Sequence, residues 1–487
     1  MKGVFVLKKI NRIFFVVMIV YFIIFFAYTR SSFGEEGDIL LPITFNEGIN
    51  NTSLGNAIQR GGDLWIPESS MKSMGVTLID AQNNKKGFYI KVNNPAKVFG
   101  IQELSNLAGE SLSLYFASIF EEGTSYFNVV GMEALTGLSF ERNSTGVIFY
   151  KQNSPLSVLL KNRVPKPPAK NKISLVWAHI TRDNPNLAAE ETLSGLSILS
   201  PTWFNLMDGS GAMANRASVS YVEAAHDKKY QVWALVSNGF SKTNTTLLFK
   251  NARGTNMFVA RMLAYAKLYN LDGINFDFEN VDVNDRDAYV SFISMASPLL
   301  QAQGLKVSVD VHIPSPNSSL SRSHDRGSLA KYVDYVMLMA YDEHWRTCPR
   351  AGSVASLPWV ERAVQNTIAE GVPVNKLVLG VPFYMRKWEE TVVNGKTKVK
   401  GATLSMDESN NLLASRSITP TWNEEAGQFY YSYVENGKTY KVWVENVESI
   451  KRKLLLVKKY GLAGAAGWRK GHESANIWNV FETELGK

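Results

Sequence analysis

The sequence predicts an α/β fold class: a (β/α)8 TIM barrel with an α+β insertion between strands 7 and 8, preceded by a small α+β repeat domain. Three observations carry this. Eight apolar, β-rich runs alternate with helical segments between residues 171 and 487. The fourth run ends on two carboxylates, at the strand end where such barrels place their reacting groups. Before residue 150, a unit of short strand, helical turn and glycine occurs twice at an offset of 62 residues.

Taken in order, residues 1–34 hold Lys2, Lys8, Lys9, Arg12 and Arg30 and no acid, so they supply +5 of the formal net charge of +8. Ile13 to Tyr28 is a run of sixteen residues without a charge. Basic flank and apolar run together read as an export segment. The run is long for a signal-peptide core and short for the ~20 residues of a spanning helix. Residues 1–34 are therefore expected to be a signal peptide, with Ser32 and Gly34 as small residues for cleavage, or a membrane anchor. Either places the protein outside the cytoplasm, in a bacterial cell envelope, secreted or tethered to the membrane. The remaining +3 is too small to indicate nucleic acid as a partner.

The chain has one cysteine, Cys348, so no intramolecular disulfide can form; it falls in an expected loop after His344 and Trp345, where a free thiol could react. The six histidines show no HExxH pattern and no Cys/His cluster of zinc spacing, so neither a metal nor another cofactor is expected.

In residues 35–150, Trp65-Ile66-Pro67 through Gly75-Val76-Thr77-Leu78 corresponds to Phe127-Asn128-Val129 through Gly137-Leu138-Ser139-Phe140. Met71 and Met74 occupy the helical turn of the first copy, Met132 and Leu135 that of the second. Two such halves predict one small α+β module. It resembles the stalk-like domain of the amino-terminal region of copper amine oxidases. That resemblance implies no catalytic residues here; it implies either targeting to wall or substrate, or a spacer between membrane and enzyme.

Residues 151–170 carry Pro155, Pro165, Pro167 and Pro168 among lysines, a linker stiffened by proline. The barrel strands are then read at Ile173 to His179, Gly195 to Pro201, Gln231 to Ser237, Gly273 to Phe278, Lys306 to His312, Tyr335 to Ala340, Leu377 to Val381 and Gly464 to Trp468. The long gap of about 383–444 is the insertion. Asn436-Gly437 marks a hairpin between two aromatic-rich runs. Tyr430, Tyr431, Tyr433 and Trp443 either stack on sugar rings or build the insertion's own core, and the core is the expectation for most of them.

The fourth strand, Leu271 to Asn280, reads LDGINFDFEN. Its period of two puts Asn275, Asp277 and Glu279 on one face and Ile274, Phe276 and Phe278 on the other. Two carboxylates in an apolar setting cost too much for an ordinary core, so they line a wet cleft or form an acidic strand end that binds a cation or caps the next segment. In the cleft, ionised Asp277 would raise the pKa of Glu279 and keep it protonated as a general acid, which is glycosidase chemistry in outline. Asp310 shares a face with Ser308 and His312, pointing into the barrel or serving as a solvated barrel residue.

The chain from about 171 to 487 resembles glycoside hydrolase family 18, whose fourth-strand signature is DxxDxDxE; here it runs from Asp272 and Gly273 to Glu279. Met339-Ala340-Tyr341-Asp342, the strand-seven/eight insertion and Gly467-Trp468 extend the likeness. It is most similar to the branch acting on peptidoglycan, including spore cortex-lytic N-acetylglucosaminidases; chitinases are more distant. The resemblance implies that Glu279 is acid and base, that the substrate's 2-acetamido oxygen attacks to give an oxazolinium ion, and that Asp277 orients the acetamido N–H. It implies that Tyr341 bonds the acetamido carbonyl, that Trp468 floors the sugar, that Asp342 meets a hydroxyl and that Asn275 and Met339 belong to the substrate-binding set. The family's middle Asp is Asn275 here, so the proton relay is expected to be shortened and the pH dependence shifted, with activity surviving. The expected partner is peptidoglycan in the cell wall or another N-acetylglucosamine polymer. Alternatives are a chitinase-type endoglycosidase and a sugar-binding pseudoenzyme. No LysM-like wall-binding repeat is visible in the sequence.

Overall fold

The computed structural model describes residues 38–47, 50–80, 87–129, 133–151, 166–167 and 172–486. The export segment, Met132 and nearly all of the proline linker lie outside the described residues. Among those described, no helix is long and apolar enough to cross a membrane.

Residues 39–151 form a nine-stranded sheet in which the two sequence copies meet. Asp63–Pro67 of the first copy pairs antiparallel with Thr124–Asn128 of the second, Trp65 opposite Asn128 and Ile66 opposite Phe127. Each copy then makes a short helix, Glu68–Ser73 or Glu133–Thr136. Gly75 and Gly137 follow with φ of +83° and +71°, a backbone that a side chain would strain. The recurring glycine is thus a requirement of the chain reversal. Phe88, Phe116, Phe127, Met71 and Leu114 fill the space beneath.

The barrel is closed and parallel. Its strands are Ile173–Ala178, Ile198–Pro201, Gln231–Ser237, Gly273–Asp277, Lys306–His312, Tyr335–Met339, Leu377–Pro382 and Gly464–Trp468. Each pairs with the next, and the eighth returns to the first with Trp177 opposite Trp468. The second strand starts at Ile198, three residues later than the sequence suggests, because Leu193 to Leu196 turn back on themselves. A small hairpin that the sequence reading did not anticipate, Phe204–Leu206 with Met213–Asn215, adds to the edge of the third strand.

The fourth strand behaves as its period of two requires. Ile274, Phe276 and Phe278 point outward and are fully buried against the helices Ala252–Tyr269 and Arg286–Ala302, Phe278 stacking on Tyr289 at 5.6 Å and on Phe292 at 5.7 Å. Aromatic packing of this kind fixes the strand's rotation. Inside the barrel, Trp177, Trp233, Leu235, Met337 and Ala466 form a separate apolar layer.

The insertion is a five-stranded antiparallel sheet built from Tyr384–Val393, Lys396–Ser405, Thr421–Asn423, Gln428–Glu435 and Lys438–Val444, with the helix Met406–Arg416. Asn436 and Gly437 both take positive φ, 50° and 70°, as a two-residue hairpin turn demands. The expectation that its aromatics mostly build a core needs correcting. Tyr431 is buried, but Tyr430 pairs with Trp443 and Tyr433 with Tyr440, each at 4.9 Å, on half-exposed faces. The core role falls instead to Trp388, whose indole N–H donates to the Gly352 carbonyl at 2.7 Å. Cys348 is buried rather than reactive at the surface.

The nine-stranded sheet is bolted to the barrel. The Tyr265 hydroxyl, on the helix Ala252–Tyr269, accepts from the Tyr115 N–H and donates to the Tyr115 carbonyl, both at 2.8 Å. Arg261 of that helix donates to the Ser113 carbonyl at 3.1 Å. Buried Asp63 accepts from the hydroxyls of Ser218 and Ser220 at 2.7 and 2.6 Å.

Candidate active site

Asp272 and Gly273 open the fourth strand at its closed end. Asp272 accepts from the Val232 N–H at 2.8 Å, with His226 Nε2 also 2.8 Å away. A Cβ on Gly273 would lie 2.8 Å from the Trp233 ring, too close to be accommodated. Both residues build the strand.

Asn275 is fully buried and saturated. Its Oδ1 accepts from Trp177 Nε1 at 2.9 Å and Ser200 Oγ at 3.2 Å. Its Nδ2 donates to Ser308 Oγ at 3.0 Å and Asp310 Oδ1 at 2.7 Å. An amide has two donors and two acceptor sites, so nothing remains for a substrate. The expectation that Asn275 binds sugar is corrected: it is a bracket behind the carboxyl groups.

Above it, Asp277 is 9% exposed and burial raises its pKa. Its Oδ1 accepts no hydrogen bond from the described residues, a costly state unless a ligand or a shared proton satisfies it. Glu279 follows at the barrel mouth, its backbone clamped by Asn238, which accepts from the Glu279 N–H at 3.1 Å and donates to its carbonyl at 2.7 Å. The Glu279 pKa is also raised, first by burial, then by the charges of Asp277 and Asp342. From the sequence, the Asp277 charge is expected to be the main cause. Desolvation by burial outweighs it, because it penalises the charged form directly.

A third carboxyl joins them. Asp310, in the middle of the fifth strand, is 2% exposed. Its pKa lies well above the ordinary value, through burial and then the Asp277 charge. Tyr341 faces the same group: burial, then the charges of Asp310, Tyr384, Glu279 and Asp277, hold its hydroxyl protonated. Asp277, Glu279, Asp310 and Tyr341 therefore form one electrostatic unit.

This constellation rests on a barrel whose sequence can be compared with known families. The sequence model of Glycosyl hydrolases family 18 matches residues 193–472. The chain belongs to glycoside hydrolase family 18.

Among family relatives, it is 30% identical over 284 residues to the uncharacterized glycosylase YvbX of Bacillus subtilis (strain 168), covering 56% of this chain and 80% of that protein. To the cortical fragment-lytic enzyme of Bacillus anthracis it is 26% identical over 255 residues, covering 50% of this chain and 57% of that one. The chain thus spans just over half the length of that relative. The solved spore cortex-lytic enzyme SleL of Bacillus megaterium QM B1551 superposes with a TM-score of 0.58 at 20% identity, over 72% of this chain and 79% of that one. A chitinase from Chromobacterium violaceum gives 0.58 at 24% identity, over 65% and 99%. These two likenesses carry the fold.

The remaining candidate residues come from the sixth to eighth strands and the insertion. Met339 ends the sixth strand, 8% exposed, in register with His312 and Gly380. Asp342 takes φ of +62°, uncommon without glycine, and its Oδ1 accepts from the Tyr384 hydroxyl at 2.7 Å and Arg386 at 2.8 Å. The insertion thereby grips the loop after the sixth strand. Trp468 lies half-buried at the end of the eighth, 6.2 Å from the Trp177 ring and 6.1 Å from that of His179.

Neither Tyr384 nor Arg386 stands out in the sequence, and Asp310 is undecided there. Asp310 had a signal, the period-two face it shares with Ser308 and His312. Tyr384 and Arg386 had none, since only the folded insertion carries them back to Asp342.

Proposed function

We propose that the chain is an exported retaining glycosidase that hydrolyses β-1,4 bonds after N-acetylglucosamine in bacterial peptidoglycan. The observation that supports this best is the placement of Asp277 and Glu279 on one inward strand face with both proton affinities raised by burial. A carboxyl that keeps its proton near neutrality can protonate a leaving oxygen. Two carboxyls on one strand face cannot flank an anomeric carbon from opposite sides, so the pair does not supply a conventional nucleophile.

In the reading we adopt, the substrate's 2-acetamido oxygen attacks the anomeric carbon while Glu279 gives its proton to the departing glycosidic oxygen. The resulting oxazolinium ion is opened by water, whose proton returns to Glu279, and the configuration is retained. Asp277 orients the acetamido N–H with the acceptor that the protein leaves free. Tyr341 donates to the acetamido carbonyl, Trp468 floors the sugar, Asp342 meets a hydroxyl, and Met339 closes the wall. The relatives' names, cortical fragment-lytic and sporulation-specific, favour peptidoglycan over chitin, which satisfies the same acetamido requirement. Residues 1–34 are the export signal or anchor of an envelope protein, and residues 35–150 a copper amine oxidase N-terminal-like module that targets the wall or sets the enzyme's distance from the membrane.

The test is mass analysis of products, with reducing-end labelling, after incubation with purified peptidoglycan and with chitin oligomers beside Glu279→Gln. New N-acetylglucosamine reducing ends from peptidoglycan, absent in the variant, are expected. Cleavage of chitin alone would move the substrate to that polymer; full activity in Glu279→Gln would refute the mechanism.

A further inference from the structure

His312 ends the fifth strand with its side chain turned into the barrel mouth. Its Nε2 lies 3.3 Å from Glu279 Oε2, and the two side chains are 22% and 24% exposed. At that distance the two atoms face each other without a formed hydrogen bond: Nε2 is buried and makes none to the described residues, and contacts between reacting groups commonly tighten only when substrate arrives. Behind it, His324 is fully enclosed, its ring centroid 5.4 Å from that of His312, and its Nε2 is 3.1 Å from the Phe278 carbonyl. Phe278 is the residue before Glu279, so two imidazoles reach the same end of the fourth strand, one at the backbone and one at the carboxyl.

The charge state of His312 decides what it can do. A protonated imidazole beside Glu279 would form an ion pair and strip the carboxyl of its proton. Burial, reinforced by the Arg326 charge, lowers the His312 pKa to about 4. His324 is held well below the ordinary value too, by burial and by His312 and Arg326. The groups facing the contact are Asp277 on Glu279's own strand, Asp310 beside His312, Tyr341 and Asp342 from the segment after the sixth strand, and His324 and Arg326 from the segment after the fifth strand.

We infer that His312 is a positioning residue for Glu279, a neutral imidazole whose unpartnered Nε2 turns its N–H onto Oε2 and steadies the carboxylate that forms when Glu279 gives up its proton. A neutral donor does this without removing the proton beforehand. This rests on the reading of Glu279 as proton donor.

The test compares wild type, His312→Phe, His312→Ala and His312→Gln, whose amide nitrogen occupies nearly the place of Nε2. Steady-state rates on an N-acetylglucosamine oligomer are followed against pH, and Glu279 is titrated directly by carbon-13 NMR of side-chain-labelled glutamate, a readout that does not need turnover. Loss of a donor to the carboxylate raises its pKa. We expect His312→Phe and His312→Ala to lower kcat about ten-fold with little change in KM, and to move both the basic limb and the Glu279 midpoint upward by about one unit. Glutamine is expected to restore most of both. An unshifted midpoint in Phe and Ala would overturn the inference, as would a Gln variant as impaired as Phe, which would mark a packing role. Full activity in Glu279→Gln, measured beside these, would instead refute the reading of Glu279 and leave the NMR comparison to judge the contact.

Discussion

Asp277→Asn tests the electrostatics of the strand-four pair. Same-face neighbours on a strand stand about 6.5 Å apart, and at an effective dielectric near 20 a unit charge at that distance contributes about 2.5 kcal/mol. That is just under 2 pKa units. Ionised Asp277 disfavours the Glu279 carboxylate and so raises its pKa; Asn removes the charge and leaves the burial, which is the larger cause. The Glu279 pKa should therefore fall by up to ~2 units yet stay above the ordinary carboxylic range. In kcat/KM against pH, measured with a neutral N-acetylglucosamine oligomer, the basic limb should move to lower pH. Activity at the optimum should fall as well, because the acetamido N–H loses its charged acceptor. An unmoved basic limb, or one displaced upward, would refute the claim that the two carboxyls share an electrostatic site.

Three further substitutions probe other parts of the molecule. Asp310→Asn keeps the shape beside Asn275 but removes a buried ionisable group, and should lower kcat about ten-fold with a changed pH profile; a wild-type profile would make Asp310 a packing residue. Lys453 Nζ donates to both oxygens of fully buried Glu445 at 2.8 Å, so Lys453→Met strands a buried carboxylate and should cost about 3–5 kcal/mol in denaturant unfolding, while Lys453→Met with Glu445→Gln should recover much of that. Tyr265→Phe deletes a hydroxyl with two bonds to the Tyr115 backbone and should lose about 2 kcal/mol, seen as a lower unfolding midpoint; an unchanged midpoint would mean that water replaces both bonds.

The parts of this structure that were legible in sequence are those written in local periodicity. The eight strands are apolar runs with a fixed period, and the Asp277 and Glu279 pair stands out because period two puts both on the face opposite Ile274, Phe276 and Phe278. The repeated glycines, Gly75 and Gly137, mark equivalent reversals for a backbone reason visible in sequence. What was hidden depends on closure of the barrel. Asn275 read as a ligand of sugar because its neighbours Trp177, Ser200, Ser308 and Asp310 come from three other strands, and nothing nearby in sequence announces that they will saturate it. Tyr384 and Arg386 reach Asp342 only through the folded insertion. The helix Ala252–Tyr269 carries Arg261 and Tyr265 on its outer side, polar residues that would ordinarily mark a solvated face; their partners Ser113 and Tyr115 lie more than 140 positions upstream.

That helix has a mechanical meaning. Its Phe258 touches Phe278, at 6.2 Å between ring centroids, one residue before Glu279, while Arg261 and Tyr265 hold Ser113 and Tyr115 on the opposite side. Residues 39–151 are thus less a rope than a mounting bracket. A pull applied to residues 39–151 would therefore be felt, through the bonds to Arg261 and Tyr265, by the helix that packs behind Phe278.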